Sequence, residues 1–497
     1  MSQRNLPVIP VISLVSLKFD RIAQMVVLLV PLTWTTAMAE QRHEHFDTDP
    51  GWDGQNNRSV KRETVRQDFG WSPVTTNAGG EAGEIGGLIT PAAEPAYYAK
   101  KLPTRTFNDV LTASGTMKIE KGSGHTLIGF FDARTLNEWR TPNTIALRIQ
   151  QRGDIFHCHL EHCTSKWRAG AGIIGRYDKV RDRMEPKELP CGRVYAWSLK
   201  YDPSGNGRSG VVTATLDGEM ASYEMGPQHK ADGAEFNRFG VLNVMKQFDG
   251  AGMLWLDNVT INGEREEFSS DPKWDASGNR RTYETRNVRP RFDFGFTPTH
   301  YAGGKAAGEL GGLFFRGDCR YGERLAAYGD RLSVLTWERP LRASGKVCLR
   351  RGVSDSTTLF GFYHSTLSLA VNPSQQFSTP KDFLGAAIEG PSGEGFYFYP
   401  VHRNHGDHAS SCVGANPPRI YPDGATHDWT LEYDPAAAQG NGRITLTLDG
   451  KPVSLDLMPG DKAAGAQVDR FGLVTPWIDG NGQDVYFDDL TYTCRQE

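Results

Sequence analysis

The chain has 497 residues, 38% of them hydrophobic, 10% aromatic and 23% charged. That make-up describes a globular protein with room for more than one core and excludes a disordered, collagen-like or multi-span membrane chain. Its 55 basic and 59 acidic residues give a net charge of −4, and no long basic run follows a phosphate backbone, so nucleic acid is not an expected partner.

The first element is a leader. Arg4, Lys18 and Arg21 precede the apolar run Met25 to Leu32, and Ala37-Met38-Ala39 then supplies small residues ahead of Glu40-Gln41-Arg42-His43. This order predicts a signal peptide over residues 1–39, cleaved after Ala39, and a secreted or periplasmic product. A non-cleaved anchor is the alternative, because the region before the apolar run is long. No second run of about 18 apolar residues follows, so no membrane span is expected after cleavage. In an exported chain, cysteines are read as disulfides. The seven are Cys158, Cys163, Cys191, Cys319, Cys348, Cys412 and Cys494; at least one stays unpaired, and Cys163–Cys191 and Cys319–Cys348 are the expected bridges. The absence of a Cys-x-x-Cys pair disfavours a zinc or dithiol redox site.

After the leader the chain repeats itself. Asp49-Pro50-Gly51-Trp52-Asp53 returns as Asp271-Pro272-Lys273-Trp274-Asp275, offset by 222. Gly83-Glu84-Ile85-Gly86-Gly87-Leu88 returns as Gly308-Glu309-Leu310-Gly311-Gly312-Leu313, offset by 225. Tyr201-Asp202-Pro203, Leu216-Asp217-Gly218 and Arg238-Phe239-Gly240 match Tyr433-Asp434-Pro435, Leu448-Asp449-Gly450 and Arg470-Phe471-Gly472, all offset by 232. A period this long predicts whole domains rather than solenoid repeats, a first over 40–265 and a second over 266–497.

Inside each copy the period is that of strands. Thr213 to Glu219 and Ile444 to Lys451 alternate apolar and polar residues up to an Asp-Gly pair, the signal of a tight hairpin. No helical period is sustained over three turns. Such alternation suits antiparallel sheets packed face to face, each strand hiding one side.

The order Tyr-Asp-Pro, Leu-Asp-Gly, Arg-Phe-Gly and a closing strand Tyr486-Phe487-Asp488-Asp489-Leu490-Thr491-Tyr492 resembles the concanavalin A-like lectin/glucanase superfamily of jelly rolls, over both copies. The opening Phe46 to Trp52 and the stretch Trp139 to Thr144 also resemble exported proteins of environmental bacteria. The first resemblance implies an all-β protein of two tandem β-sandwich (jelly-roll) domains. It does not choose an activity, because that superfamily holds lectins, binding modules, hydrolases and lyases. The Glu-x-Asp-x-Glu run of its laminarinase-like hydrolases is absent from both copies.

The most chemically loaded strand runs from Asp154 to Cys163. Side chains alternate along a strand, so His157, His159 and Glu161 fall on one face and Phe156, Cys158 and Leu160 on the other. Three readings stay open: hydrogen-bonding partners in a sugar groove, a metal or acid/base site, and a solvated face. Aligning Gly153 with Gly393 and Phe156 with Phe396 sets Tyr397, Tyr399 and Val401 opposite His157, His159 and Glu161. The His/Glu set is thus not repeated, while the second groove keeps aromatic surfaces for stacking on a sugar. Trp139, Arg140, Trp167 and Arg168 flank the strand as a loop wall suited to stacking and to acidic or sulfated sugars.

Glu84 and Glu309 are read either as contacts to a sugar hydroxyl or as carboxylates bonding backbone amides at a sheet corner. Arg238, Arg470, Trp52 and Trp274 are read as architectural. Asp47, Asp49 and Asp257 in the first copy, with Asp271, Asp488 and Asp489 in the second, lie at the ends of each unit, where a jelly roll brings strands together. Hard oxygen ligands there suit calcium, which resemblance to calcium-bearing jelly rolls also implies; solvated turn aspartates are the alternative. The histidine-rich run His402 to His408, with Gly and Asn inside it and Pro400 ahead, reads as a loop.

The sequence therefore predicts an exported protein that recognises a polysaccharide or oligosaccharide through the concave faces of both domains. A polysaccharide-cleaving enzyme, hydrolase or lyase, using His157, His159 and Glu161 as acid, base or metal ligands is the alternative. A structural or adhesive surface protein is the third possibility.

Overall fold

The computed structural model describes residues 39–496 apart from 138–140, 180–182, 246–249, 354, 374–377, 391–395 and 412–415. The expected leader up to Met38, together with Trp139, Arg140 and Cys412, lies outside the described residues. Strands dominate, and among the described residues the one α-helix is the short Pro227–Asp232. Both Asp-Gly hairpins form. Leu216 pairs with Glu219 and Leu448 with Lys451, leaving two-residue loops in which Asp217, Gly218, Asp449 and Gly450 take φ of 48°, 83°, 47° and 75°. Positive φ at both central positions lets so short a turn follow the twist of its strands.

Four large antiparallel sheets result. Sheet II runs, strand by strand, Arg168–Gly172, Ile155–Cys163, Thr144–Arg152, His125–Phe131, Glu235–Asn243, Tyr97–Thr106 and Asp275–Ser277. Sheet IV runs Ala409–Ser411, Tyr397–Arg403, Phe383–Gly390, Ser356–Tyr363, Gln467–Val474, Ala327–Thr336 and Asp53–Gln55. Sheet I runs Glu219–Glu224, Val211–Leu216, Val194–Asp202, Leu111–Ile119, Gly252–Ile261, Glu84–Ile89, Glu63–Ser72 and Arg280–Thr285. It backs sheet II around one core, with Phe69, Trp197, Tyr201 and Leu256 meeting Ile128, Phe156, Leu160 and Phe239. Sheet III runs Arg58–Ser59, Phe292–Thr297, Glu309–Phe315, Gly482–Arg495, Leu341–Gly352, Thr426–Asp434, Arg443–Leu448 and Lys451–Asp456. It backs sheet IV around another core, where Phe294, Trp429, Phe487 and Tyr492 meet Phe360, Phe398 and Phe471. These are the β-sandwiches that alternating strands require, each strand burying one side.

The opening segments cross over. Glu40–Glu44 pairs with Gly482–Arg495, Asp53–Gln55 with Ala327–Thr336, and Arg58–Ser59 with Phe292–Thr297. Phe46 and Trp52 are accordingly buried in the core of sheets III and IV. Asp275–Ser277 and Arg280–Thr285 are added in the same manner to sheets II and I, and Trp274 stacks on Tyr98 at 5.8 Å. The first opening segment, counted in sequence with residues 40–265, thus finds its hydrogen-bond partners within 266–497. Among the described residues no helix is long and apolar enough to cross a membrane.

The expected disulfides do not form: Cys191 and Cys348 are free thiols. Cys163 ends the strand Ile155–Cys163, whereas the Cys191 amide bonds the Asp154 carbonyl at its other end. That length of strand separates the two by about 26 Å, far beyond disulfide reach. Cys319 packs with Leu325 and Trp477, and Cys348 with Ala302 and Tyr486.

Candidate functional site

Phe156, Cys158 and Leu160 enter the core of sheets I and II, which leaves His157, His159 and Glu161 on the opposite face, as alternation predicts. In sequence Thr126-Leu127-Ile128-Gly129-Phe130-Phe131 resembles Thr358-Leu359-Phe360-Gly361-Phe362-Tyr363 at an offset of 232, and the strands beside these two segments pair in the same register. Glu161 pairs with Ala146 and Ala146 with Gly129, while Val401 pairs with Gly385 and Gly385 with Gly361. Val401 is therefore the counterpart of Glu161, and Tyr397 that of His157.

That face is largely covered by residues of the other sheet pair. Trp167 lies 5.9 Å from Tyr421, and Arg419 sits over the rings of both Trp167 and Tyr397 at 5.5 Å. Arg168 Nη2 donates to Glu161 Oε2 at 2.5 Å, and Arg148 Nε lies 3.4 Å from the same oxygen. Burial pushes the Glu161 carboxyl up, but Arg168 and Arg148 together outweigh it and hold the pKa down at about 2. Burial, then the Arg148 charge, lowers His159 to about 4; burial, then Arg152, lowers His157. At neutral pH the face presents a carboxylate clamped by two guanidinium groups beside two neutral imidazoles. Such a carboxylate has no proton to donate and takes one only in strong acid, an arrangement suited to holding the seam together.

The remaining candidates have their own partners. Tyr399 OH donates to Glu389, which also accepts from Arg316 Nη2 at 3.0 Å. Glu84 accepts the Asn77 and Ala78 amides at 2.8 and 2.7 Å, and Glu309 the Tyr301 and Ala302 amides at 2.8 and 2.7 Å. Both glutamates are buried and organise the loop that precedes them. The histidine run is part strand: His402 and Arg403 lie in Tyr397–Arg403 and are fully buried, with His402 edge-on to Trp337 at 5.5 Å. His162, on the core side of its strand, bonds Tyr223 OH at 2.7 Å and His229 Nδ1 at 3.0 Å.

The six aspartates do not converge. Asp47, Asp49 and Asp271 are exposed, and Asp49 and Asp271 close their own turns by accepting the Gly51 and Lys273 amides at 2.9 and 2.8 Å. Asp257 accepts the Asn258 amide and Asp488 the Asp489 amide, each at 2.7 Å. Asp489 bonds His45 Nδ1 at 2.8 Å. Among the described residues no three His, Cys, Asp or Glu side chains gather as a metal-holding group. This donor set does not fit a calcium ion, which takes about six to eight oxygens.

No local sequence pattern marks the two cavities that open at the loop ends of sheets II and IV. One, of about 730 Å³, is enclosed by the loops that follow Tyr97–Thr106, His125–Phe131 and Ile155–Cys163 and precede Thr144–Arg152 and Glu235–Asn243. The other, of about 410 Å³, is enclosed by the loops that follow Ala327–Thr336, Ser356–Tyr363 and Tyr397–Arg403 and precede Phe383–Gly390 and Gln467–Val474. In each case the loop after the second strand is also the loop before the fourth, and the four loops correspond one to one. Phe107 and Trp337 line the two cavities at matching places. Lys230 donates to the Pro203 and Arg208 carbonyls, and Lys462 likewise to those of Pro435 and Gly440. The polar groups around them differ. In the first cavity Arg134 Nη2 donates to Asp132 at 2.7 Å and to Glu235 at 2.5 Å; in the second, His405 faces Asp382 at 3.3 Å.

No family model matches the chain, and no curated protein matches it. Among solved structures it is similar to domains LG4-5 of the mouse laminin alpha1 chain, at 12% identity over 85% of this chain and 92% of that one, with a TM-score of 0.24. It is similar to an alginate lyase from Pseudomonas aeruginosa at 12% identity, over 44% of this chain and 87% of that one, TM-score 0.21. The carbohydrate recognition domain of Emp47p gives 12% identity, 44% and 93% coverage and a TM-score of 0.23. Likenesses of this size carry no argument about ligand or activity.

Proposed function

We propose that this is an exported carbohydrate-binding protein of two duplicated β-sandwich units, and that it holds polysaccharide or oligosaccharide in the cavities at the loop ends of sheets II and IV. One observation carries the reading: corresponding loops enclose a cavity in both sheet pairs, although their polar side chains differ. Phe107 and Trp337 lie beneath the two cavities with their rings buried in the cores, so the groups each cavity presents are mainly polar. The hydroxyls of a sugar ask for such hydrogen-bonding partners. The seam that carries His157, His159 and Glu161 then serves as the joint between the two sheet pairs.

Retention of the purified chain on immobilised neutral, uronic and sulfated polysaccharides tests this. Retention on at least one polymer is expected, and its loss when both cavities are plugged by Asn108→Trp and Ala464→Trp, each at an exposed position. Retention on none, or retention unchanged in the plugged protein, would overturn the reading.

A further inference from the structure

We infer that the cavity of sheet IV is a built site for a neutral, hydroxyl-bearing sugar residue, held between Asp382, His405 and His364. The inference rests on the carbohydrate reading above and gives one of the two cavities a ligand class.

Asp382 lines the cavity and is 1% exposed. Its Oδ2 lies 3.3 Å from His405 Nδ1, while its Oδ1 has no hydrogen-bond partner among the described residues. A buried carboxylate oxygen without a donor is destabilising and uncommon in native folds, and a hydroxyl entering the cavity supplies what is missing. The two histidines complete the set. His364 Nδ1 accepts the Thr366 and Leu367 amides at 3.1 and 3.3 Å, so the neutral ring carries its hydrogen on Nε2 and donates from there. His405 Nδ1 faces a carboxylate, which only accepts, so the neutral ring carries its hydrogen on Nδ1 and leaves Nε2 as an acceptor. The His405 amide bonds the Gly465 carbonyl at 3.0 Å, which fixes the loop that carries it. One ring donor and two acceptors complement hydroxyls on adjacent carbons, each of which both donates and accepts.

Charge selects the ligand class. Lys462 donates to the Pro435 and Gly440 carbonyls at 3.1 and 2.8 Å and lies 3.9 Å from Glu338. Glu338 and Asp382 both line the cavity, so a uronate or sulfate would meet two carboxylates and one lysine already engaged. A neutral sugar meets no such opposition. The cavity of sheet II lacks this set, because Asp132 is occupied by Arg134 at 2.7 Å and Asn237 at 2.6 Å, and Asp232 by Ser165 at 2.9 Å.

The test titrates methyl glycosides of glucose, galactose and mannose, and the corresponding uronates, into the full chain labelled with ¹⁵N-histidine. At least one neutral glycoside is expected to move the ring signals of His364 and His405, with affinity falling tenfold or more in Asp382→Asn and in Ala464→Trp. Ala464 is exposed, so its variant serves even where replacement of Asp382 prevents folding. Uronates that bind more tightly than their neutral counterparts, or polysaccharide retention with neither histidine moved by any glycoside, would overturn the site while leaving the carbohydrate reading in place. Absence of retention on any polysaccharide would remove that reading and the site with it.

Discussion

Arg470 reaches Asp53 at 2.9 Å across the edge of sheet IV, as Arg238 reaches Asp275 at 2.7 Å across the edge of sheet II. Each pair clips an opening strand to a sheet, and Asn57 and Asn279 reinforce it by donating to the Phe294 and Phe69 carbonyls, both at 2.6 Å. The repeated Arg and Asp thus mark a clasp. Deleting residues 40–59 is expected to unprotect sheets III and IV, since it removes buried Phe46 and Trp52, each worth about 3–5 kcal/mol. Hydrogen exchange should show faster amides in Ala327–Thr336 and Gly482–Arg495, with Tyr97–Thr106 unchanged. Earlier loss of protection in Tyr97–Thr106 would contradict the pairing.

Glu161→Gln removes the carboxylate that bonds Arg168 and lies beside Arg148, two guanidinium groups on which Asp355 also acts. Breaking so enclosed a pair is expected to remove about 3 kcal/mol of stability at pH 7. The folded carboxyl titrates near 2 against an ordinary 4.5. Its contribution is therefore complete above pH 5 or so and is lost as the pH falls toward 2. Denaturant titrations of wild type and variant at pH 7 and pH 3 should show the gap narrowing in acid; a gap independent of pH would count against the ion pair.

Asp488 has the opposite sign. It is fully buried, and burial, with Asp489 and Glu309 nearby, pushes its carboxyl from 3.8 up to about 6. The folded chain holds this proton more tightly than the unfolded one, so stability falls as the pH rises from 4 to 6. At pH 7 the ionised group costs about 3 kcal/mol. Asp488→Asn is expected to raise the thermal midpoint at pH 7 and to change it little at pH 4. A lower midpoint at pH 7, to which a chelator also brings the wild type, would instead place a cation against Asp488.

Thiol labelling separates the cysteines. Burial raises Cys191 to about 11 and Cys158 to about 12, so both react slowly at neutral pH. Cys191 is only half-buried and Cys158 and Cys348 are buried, so Cys191 is expected to label first and the other two on unfolding, all without reductant. A requirement for reductant at Cys191 or Cys348 would contradict the free thiols.

Local patterns carried much of this fold. Alternation along Ile155–Cys163 separates the His/Glu face from the core, and the glycine motif around Gly129 and Gly361 fixes the counterpart of Glu161 as Val401 through two registers. What escaped local pattern is long-range. Asp53 looks the same in sequence whichever sheet receives it, and only the pairing with Gly329 shows which one does. The cavities draw on four loops scattered over more than a hundred residues in each sheet pair, so no spacing announces Asp382, His405 and His364 as neighbours. His162 is a matter of phase: alternation places it with Leu160 on the core side, where it finds Tyr223 and His229. The disulfide expectation failed because sequence proximity of Cys163 and Cys191 hides a full strand length between them.

Whether sugar enters the loop-end cavities or the seam is decided by one comparison. The polysaccharide retained best by wild type is titrated against Ala464→Trp, which fills the cavity of sheet IV, and Arg419→Ala, which empties the stack between Trp167 and Tyr397. At least tenfold weaker binding in Ala464→Trp with little change in Arg419→Ala is the predicted result. The reverse order would contradict the cavities and move the sugar to the face of His157, His159 and Glu161.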